Sequence, residues 1–98
     1  MPQLSPIATS ILVLLNNISE LIVQSNNRKQ AQDVMRALKI YAKSKQFQMP
    51  EDKMDNFHSV LLDARSYTLS SIVKDIAMDV IEADKKNQKK TKIRIKKD

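Results

Sequence analysis

No glycine occurs anywhere in these 98 residues, and that absence narrows the choice of fold more than any residue present. Tight hairpin turns draw on glycine for their positive φ angles, and here only Asn16-Asn17 and Asn26-Asn27 offer a substitute. The three prolines, Pro2, Pro6 and Pro50, stand where a helix can begin and not inside one. The expectation is an all-α chain, a small three- or four-helix bundle. Its length suits a single domain.

The missing residues also restrict the chemistry. Without glycine there is no phosphate-cradling loop and no dinucleotide fingerprint. Without cysteine there are no disulfides, no thiolate nucleophile and few routes to structural zinc. His58 is the single histidine, which leaves little for general acid–base or metal work. Asp75, Asp79 and Glu82 share one helical face, but no histidine accompanies them, and a solvated acidic face is the reading adopted. A non-enzymatic protein with no catalytic residues, no metal site and no cofactor is expected.

Periodicity then locates the helices. Ser5-Pro6 opens the first, a hydroxyl for an orphan N–H followed by a residue with no N–H to satisfy. Ile7, Ile11, Leu14, Leu15, Ile18, Leu21 and Ile22 recur at spacings of three and four, while Val13 and Val23 fall on the other side. Asn27 to Gln30 has capping-box spacing, and Ala31, Val34, Met35, Leu38, Tyr41 and Ala42 form the apolar face of the helix that follows. Pro50-Glu51-Asp52 opens a third with acid in its first turn. Met54, Phe57, Leu61 and Ala64 form one stripe, and Leu69, Ile72, Val73, Ile76 and Val80 another. On a continuous helix the two stripes sit about 130° apart, beyond the ~20° drift of a heptad repeat. Either the helix breaks near Ser66-Tyr67-Thr68, which is the favoured reading, or one long helix turns different faces to different neighbours. With the break, the helices run over about 7–25, 28–46, 51–65 and 69–86.

The first helix is apolar nearly all round. Either it is the central helix of the core, or its surplus face, with Ile11, Leu12, Val13, Leu15 and Val23, is an interface for a homo-oligomer or a protein partner. Asn16, Asn17, Ser19 and Glu20 interrupt the stretch, and the first ten residues carry no Lys or Arg. No membrane segment and no signal peptide are expected. An intracellular location (cytoplasmic, nuclear or virion-associated) fits best.

Charge is segregated along the chain. Residues 1–25 sum to −1, residues 26–50 to +5, residues 51–84 to −5 and residues 85–98 to +7. Residues 1–84 are therefore a nearly neutral helical domain, and residues 85–98 a basic tail, flexible or ordered on binding. The tail holds Lys85, Lys86, Lys89, Lys90, Lys92, Arg94, Lys96 and Lys97. It is suited to neutralising phosphates and releasing their counterions, with little base specificity. Thr91 to Lys96 alternates at period two and would suit a short strand against a partner's edge. Arg28, Arg36, Lys39 and Lys43 lie opposite the core face of the second helix. They either extend the phosphate surface or pair with the acidic third and fourth helices.

The leading expectation is a protein that self-associates or binds a partner and engages DNA or RNA non-specifically through its tail, in a regulatory or packaging role. The alternative is a structural or adaptor protein that makes protein contacts only, through the apolar first helix.

Overall fold

The computed structural model describes residues 3–97, with side chains as far as Gln88. Four helices follow one another: α1 (Pro6–Val23), α2 (Arg28–Ser44), α3 (Glu51–Val60) and α4 (Ser66–Lys97). They form an all-α bundle in which α1 packs against α2 and α4, and α3 against α4 and α2. Each helix therefore has two neighbours. Short connections make successive helices antiparallel.

The expected caps form. The Ser5 hydroxyl accepts from the Ala8 N–H ahead of Pro6, and the Asn27 side chain accepts from the Gln30 N–H. The Asn27 amide also donates to the Gln30 side chain at 3.0 Å, so the two side chains bond to each other. Without glycine, two other residues supply the left-handed turns: Asn26 at φ 48° between α1 and α2, and Gln46 at φ 57° after α2. Around Gln46 the chain closes as a Schellman motif. The Phe47 N–H reaches the Ala42 carbonyl at 2.9 Å and the Gln46 N–H the Lys43 carbonyl at 3.0 Å. Phe47 is thereby turned into the core over the end of α2.

The core follows the predicted stripes. Ile11, Leu15, Ile18 and Ile22 of α1 meet Ala31, Met35, Leu38 and Ala42 of α2, with Met54, Phe57 and Leu61 from the third segment and Leu69, Val73, Ile76 and Val80 from α4. Each large side chain so buried contributes about 1.5–3 kcal/mol.

The break between the last two helices is present, but it falls earlier than Tyr67. α3 ends at Val60, residues 61–65 turn, and α4 starts at Ser66, with the Leu69 N–H bonded to the Arg65 carbonyl at 3.0 Å. Leu61 keeps its core position from within the turn. At the other end, α4 continues through the segment set apart by its charge, and its backbone is helical to Lys97. No Gly or Pro interrupts that stretch.

Candidate polyanion interface

The basic residues of α2 do not act as one stripe. Arg28, half-buried at the start of the helix, is committed to the α3–α4 turn: Nη1 donates to the carbonyls of Ala64 and of Leu61 (3.3 Å), and Nη2 reaches the Ser66 hydroxyl at 3.4 Å. A guanidinium suits this place, because the last carbonyls of a helical segment carry partial negative charge. Lys39 forms an ion pair with Asp55 of α3. Arg36 and Lys43 are exposed and have no ion-pair partner among the described residues.

Three of these cations converge with a residue from the neighbouring helix. Arg36, Lys39, Ile40 and Lys43 of α2 and His58 of α3 line a shallow depression of about 250 Å³ at the seam between the two helices. His58 is half-buried, and its Nε2 is shut off from solvent with no hydrogen-bond partner among the described residues. The Lys39 ammonium that hydrogen-bonds Asp55 holds this carboxyl below its ordinary value, and the charges of Lys43 and His58 act in the same direction. One carboxylate thus sits beside a larger positive charge. Sequence reasoning singled out Arg36, Lys39 and Lys43 but missed His58 and Asp55, because the pairing of two helix faces leaves no signal in one helix's periodicity.

Most tail cations lie outside the described side chains: Lys89, Lys90, Lys92, Arg94, Lys96 and Lys97. Lys85 and Lys86 are described and exposed. Their position follows from a clasp at Asp84 and Gln88, on either side of them. Asp84, 2% exposed, accepts from the Ser5 N–H at 2.9 Å and the Ser5 hydroxyl at 2.5 Å. Gln88 donates to Asp84 at 2.9 Å and to the Gln3 carbonyl at 2.7 Å. The start of α1 is thereby locked alongside residues 84–88. From residue 89 the α4 backbone runs past the first residue of α1. The antiparallel arrangement puts the end of α2, with Lys43 and Lys45, and the start of α3, with Lys53, at this same end of the bundle. Lys53 pairs with Asp79 at 2.6 Å, and that hydrogen bond holds its ammonium above the ordinary 10.5.

The partner interface expected on α1 is divided by the fold. Ile11 and Leu15 are core residues, closed off because α2 and α4 cover α1 from two sides. Leu12 is half-buried, and only Val13 (54% exposed) and Val23 (61% exposed) remain open. Leu12, Leu15, Val73 and Ala77 lie in a groove of about 630 Å³ between α1 and α4, with Asn16, Ser19, Ser70, Ser71 and Lys74 on its walls and Tyr67, 87% exposed, at one end. By length and composition α1 qualifies as long and apolar enough to cross a membrane, with a mean hydropathy of 1.6 despite its polar interruptions. Here 28% of that window is buried inside the bundle.

Among the described residues no group of three or more His, Asp or Glu is placed to hold a metal ion. No protein-family model matches the chain, and no curated protein or solved structure matches it.

Proposed function

We propose that the protein is a small non-enzymatic bundle that engages nucleic acid non-specifically through the basic end of α4 and associates with itself or with a protein partner. The observation that carries this reading is the charge segregation. A helical body that sums to −1 over residues 1–84 is joined to a segment summing to +7 over residues 85–98. Such a segment gains affinity for any phosphate polymer by counterion release, and the gain falls steeply with salt. The clasp at Asp84 supports the reading, since it fixes Lys85 and Lys86 at the edge of the folded body. Arg36 and Lys43, both without ion-pair partners among the described residues, extend the surface; Arg28 and Lys39 are engaged elsewhere.

The test is a binding titration with single- and double-stranded DNA and with RNA at several salt concentrations. Replacing Lys89, Lys90 and Lys92 with Gln lowers affinity for all three about equally and flattens the salt slope by about two to three units. An unchanged slope overturns the proposal.

A second reading, protein contacts only, is favoured by the groove between α1 and α4 and by exposed Tyr67 and Val13. Under that reading the wild-type protein has no salt-dependent affinity for nucleic acid, and Tyr67→Ser weakens association measured by light scattering.

A further inference from the structure

The apolar surface that the bundle leaves open is gathered on one side. Of the six large apolar side chains exposed among the described residues, four lie on α1 and α4: Val13, Val23, Tyr67 and Met78. Val13, Asn16, Glu20 and Val23 follow one another at spacings of three and four along α1, as do Tyr67, Ser71, Lys74 and Met78 along α4. Each set is therefore one stripe, and every residue in both is exposed. Asn16 from the first stripe and Tyr67, Ser71 and Lys74 from the second line the groove between the two helices. The stripes thus lie side by side on one face.

The clasp at Asp84 fixes their alignment. α1 and α4 run antiparallel, with Ser5 beside Asp84 and Gln3 beside Gln88, so positions whose numbers add to about 90 stand level. Val13 and Met78 are level near one end of the face, and Val23 and Tyr67 near the other. Between these apolar ends lie Glu20 and Lys74, neither of which has an ion-pair partner among the described residues.

We infer that the α1–α4 face is where two copies of this chain dimerise, with α1 of each lying against α4 of the other. A two-fold axis parallel to the helices keeps every residue at its own height and exchanges α1 for α4. Val13 then meets Met78 of the second copy, and Val23 meets its Tyr67. Glu20 comes within about one turn of its Lys74, a gap that two long side chains span. Each contact is made twice. The charges choose the occupant. A partner of a single sign leaves either Glu20 or Lys74 unmatched, whereas a second copy supplies the opposite charge to both. The area is sufficient for a reversible dimer. α1 is about 27 Å long and the bundle 20 Å across its shortest dimension. That face offers about 500 Å² on each copy and about 1,000 Å² in all, the lower end for a specific interface. The inference rests on the self-association in the proposed function, and names its partner and its face.

The experiment is sedimentation equilibrium of the full chain without nucleic acid, from micromolar to millimolar concentration. The expected result is a reversible monomer–dimer equilibrium. Tyr67→Ser with Met78→Ser weakens it about tenfold or more. Ile40→Ser with Leu62→Ser, at the two exposed apolar positions elsewhere, leaves it unchanged. Glu20→Lys and Lys74→Glu each weaken it about fivefold, and the two together restore it, because the swapped charges again match. Circular dichroism and urea midpoints confirm that every variant is folded. A chain that is monomeric throughout, a dimer indifferent to Tyr67→Ser with Met78→Ser, or a charge swap that restores nothing overturns the inference. Nucleic-acid titrations of the same proteins separate it from the reading it rests on. A monomer that keeps salt-dependent affinity for nucleic acid sinks the dimer and keeps the tail. Assembly that only Ile40→Ser with Leu62→Ser weakens sinks this face and keeps self-association. The expected dimer in a chain without salt-dependent affinity keeps the face and sinks the tail.

Discussion

Asp84 and Ser5 stand 79 positions apart in the chain and form a single hydrogen-bonded unit. Both the backbone N–H and the hydroxyl of Ser5 donate to the Asp84 carboxylate, while the same hydroxyl accepts from the Ala8 N–H. One serine thus caps α1 and fastens it to α4, and the carboxylate sits at the positive end of the α1 dipole. Asp84→Ala leaves two Ser5 donors without their acceptor and costs about 2–3 kcal/mol. Ser5→Ala costs about 1 kcal/mol as a lost cap. Because the two residues share the same bonds, the double variant is less destabilised than the sum of the single ones, by at least about 0.5 kcal/mol. Urea midpoints of the four proteins measure this; strict additivity contradicts the clasp.

Gln46 holds the left-handed position of the Schellman turn that glycine normally takes. A residue with a Cβ pays about 1–2 kcal/mol there, part of which glycine gives back through the greater freedom of its unfolded chain. Gln46→Gly is therefore expected to stabilise the bundle by about 1 kcal/mol, visible as a higher urea midpoint at unchanged slope. Gln46→Val moves the midpoint the other way, since a branched side chain is worse still at positive φ.

Two exposed ion pairs set opposite limbs of the stability profile. Asp55 is lowered below 3.8, first by its hydrogen bond to Lys39, so its contribution is complete above that value and is lost as pH falls through the folded-state pKa. Lys53 is raised above 10.5, first by its hydrogen bond to Asp79, so its contribution is complete below that value and is lost as pH rises through the folded-state pKa. Between these limits neither pair gives a pH dependence. Asp55→Asn flattens the acid limb only, and Lys53→Gln the alkaline limb only. Both effects shrink in high salt, because the groups are exposed to solvent. Thermal midpoints across the pH range, at low and high salt, check both signs.

Local rules made most of the bundle legible. Ser5, Asn27 and the stripes from Ala31 to Ala42 and from Leu69 to Val80 obey capping and spacing preferences that act within one helix, and they formed as expected. What failed depends on neighbours. Ile11 and Leu15 looked available to a partner because periodicity cannot tell which side of an all-round apolar helix its own chain will cover. Asp84 entered the sequence reading only through the charge of residues 51–84, although it lies four residues beyond Val80, where the stripe of Leu69, Val73, Ile76 and Val80 projects next. A carboxylate in register with a core stripe was the available sign of a buried acceptor. The depression at His58 had no such sign, since it exists only once α2 and α3 lie side by side.

Arg28 tests how the basic face of α2 is divided between structure and binding. It donates to the carbonyls of Leu61 and Ala64 and to the Ser66 hydroxyl, fixing the turn that ends the third segment and starts α4. Arg28→Ala is expected to destabilise the protein by about 1–2 kcal/mol. Arg28→Lys recovers less than half of that loss, because a single ammonium cannot span acceptors that the guanidinium fork reaches together. Affinity for nucleic acid stays within about twofold of wild type for both, since neither variant changes a free cation. Arg36→Gln reverses the pattern: its side chain is exposed and makes no ion pair among the described residues, so stability is held while affinity drops. Urea denaturation and the polyanion titration, run on the same three variants, separate the two roles. An Arg28→Ala protein with unchanged stability and weakened binding would return Arg28 to the phosphate surface.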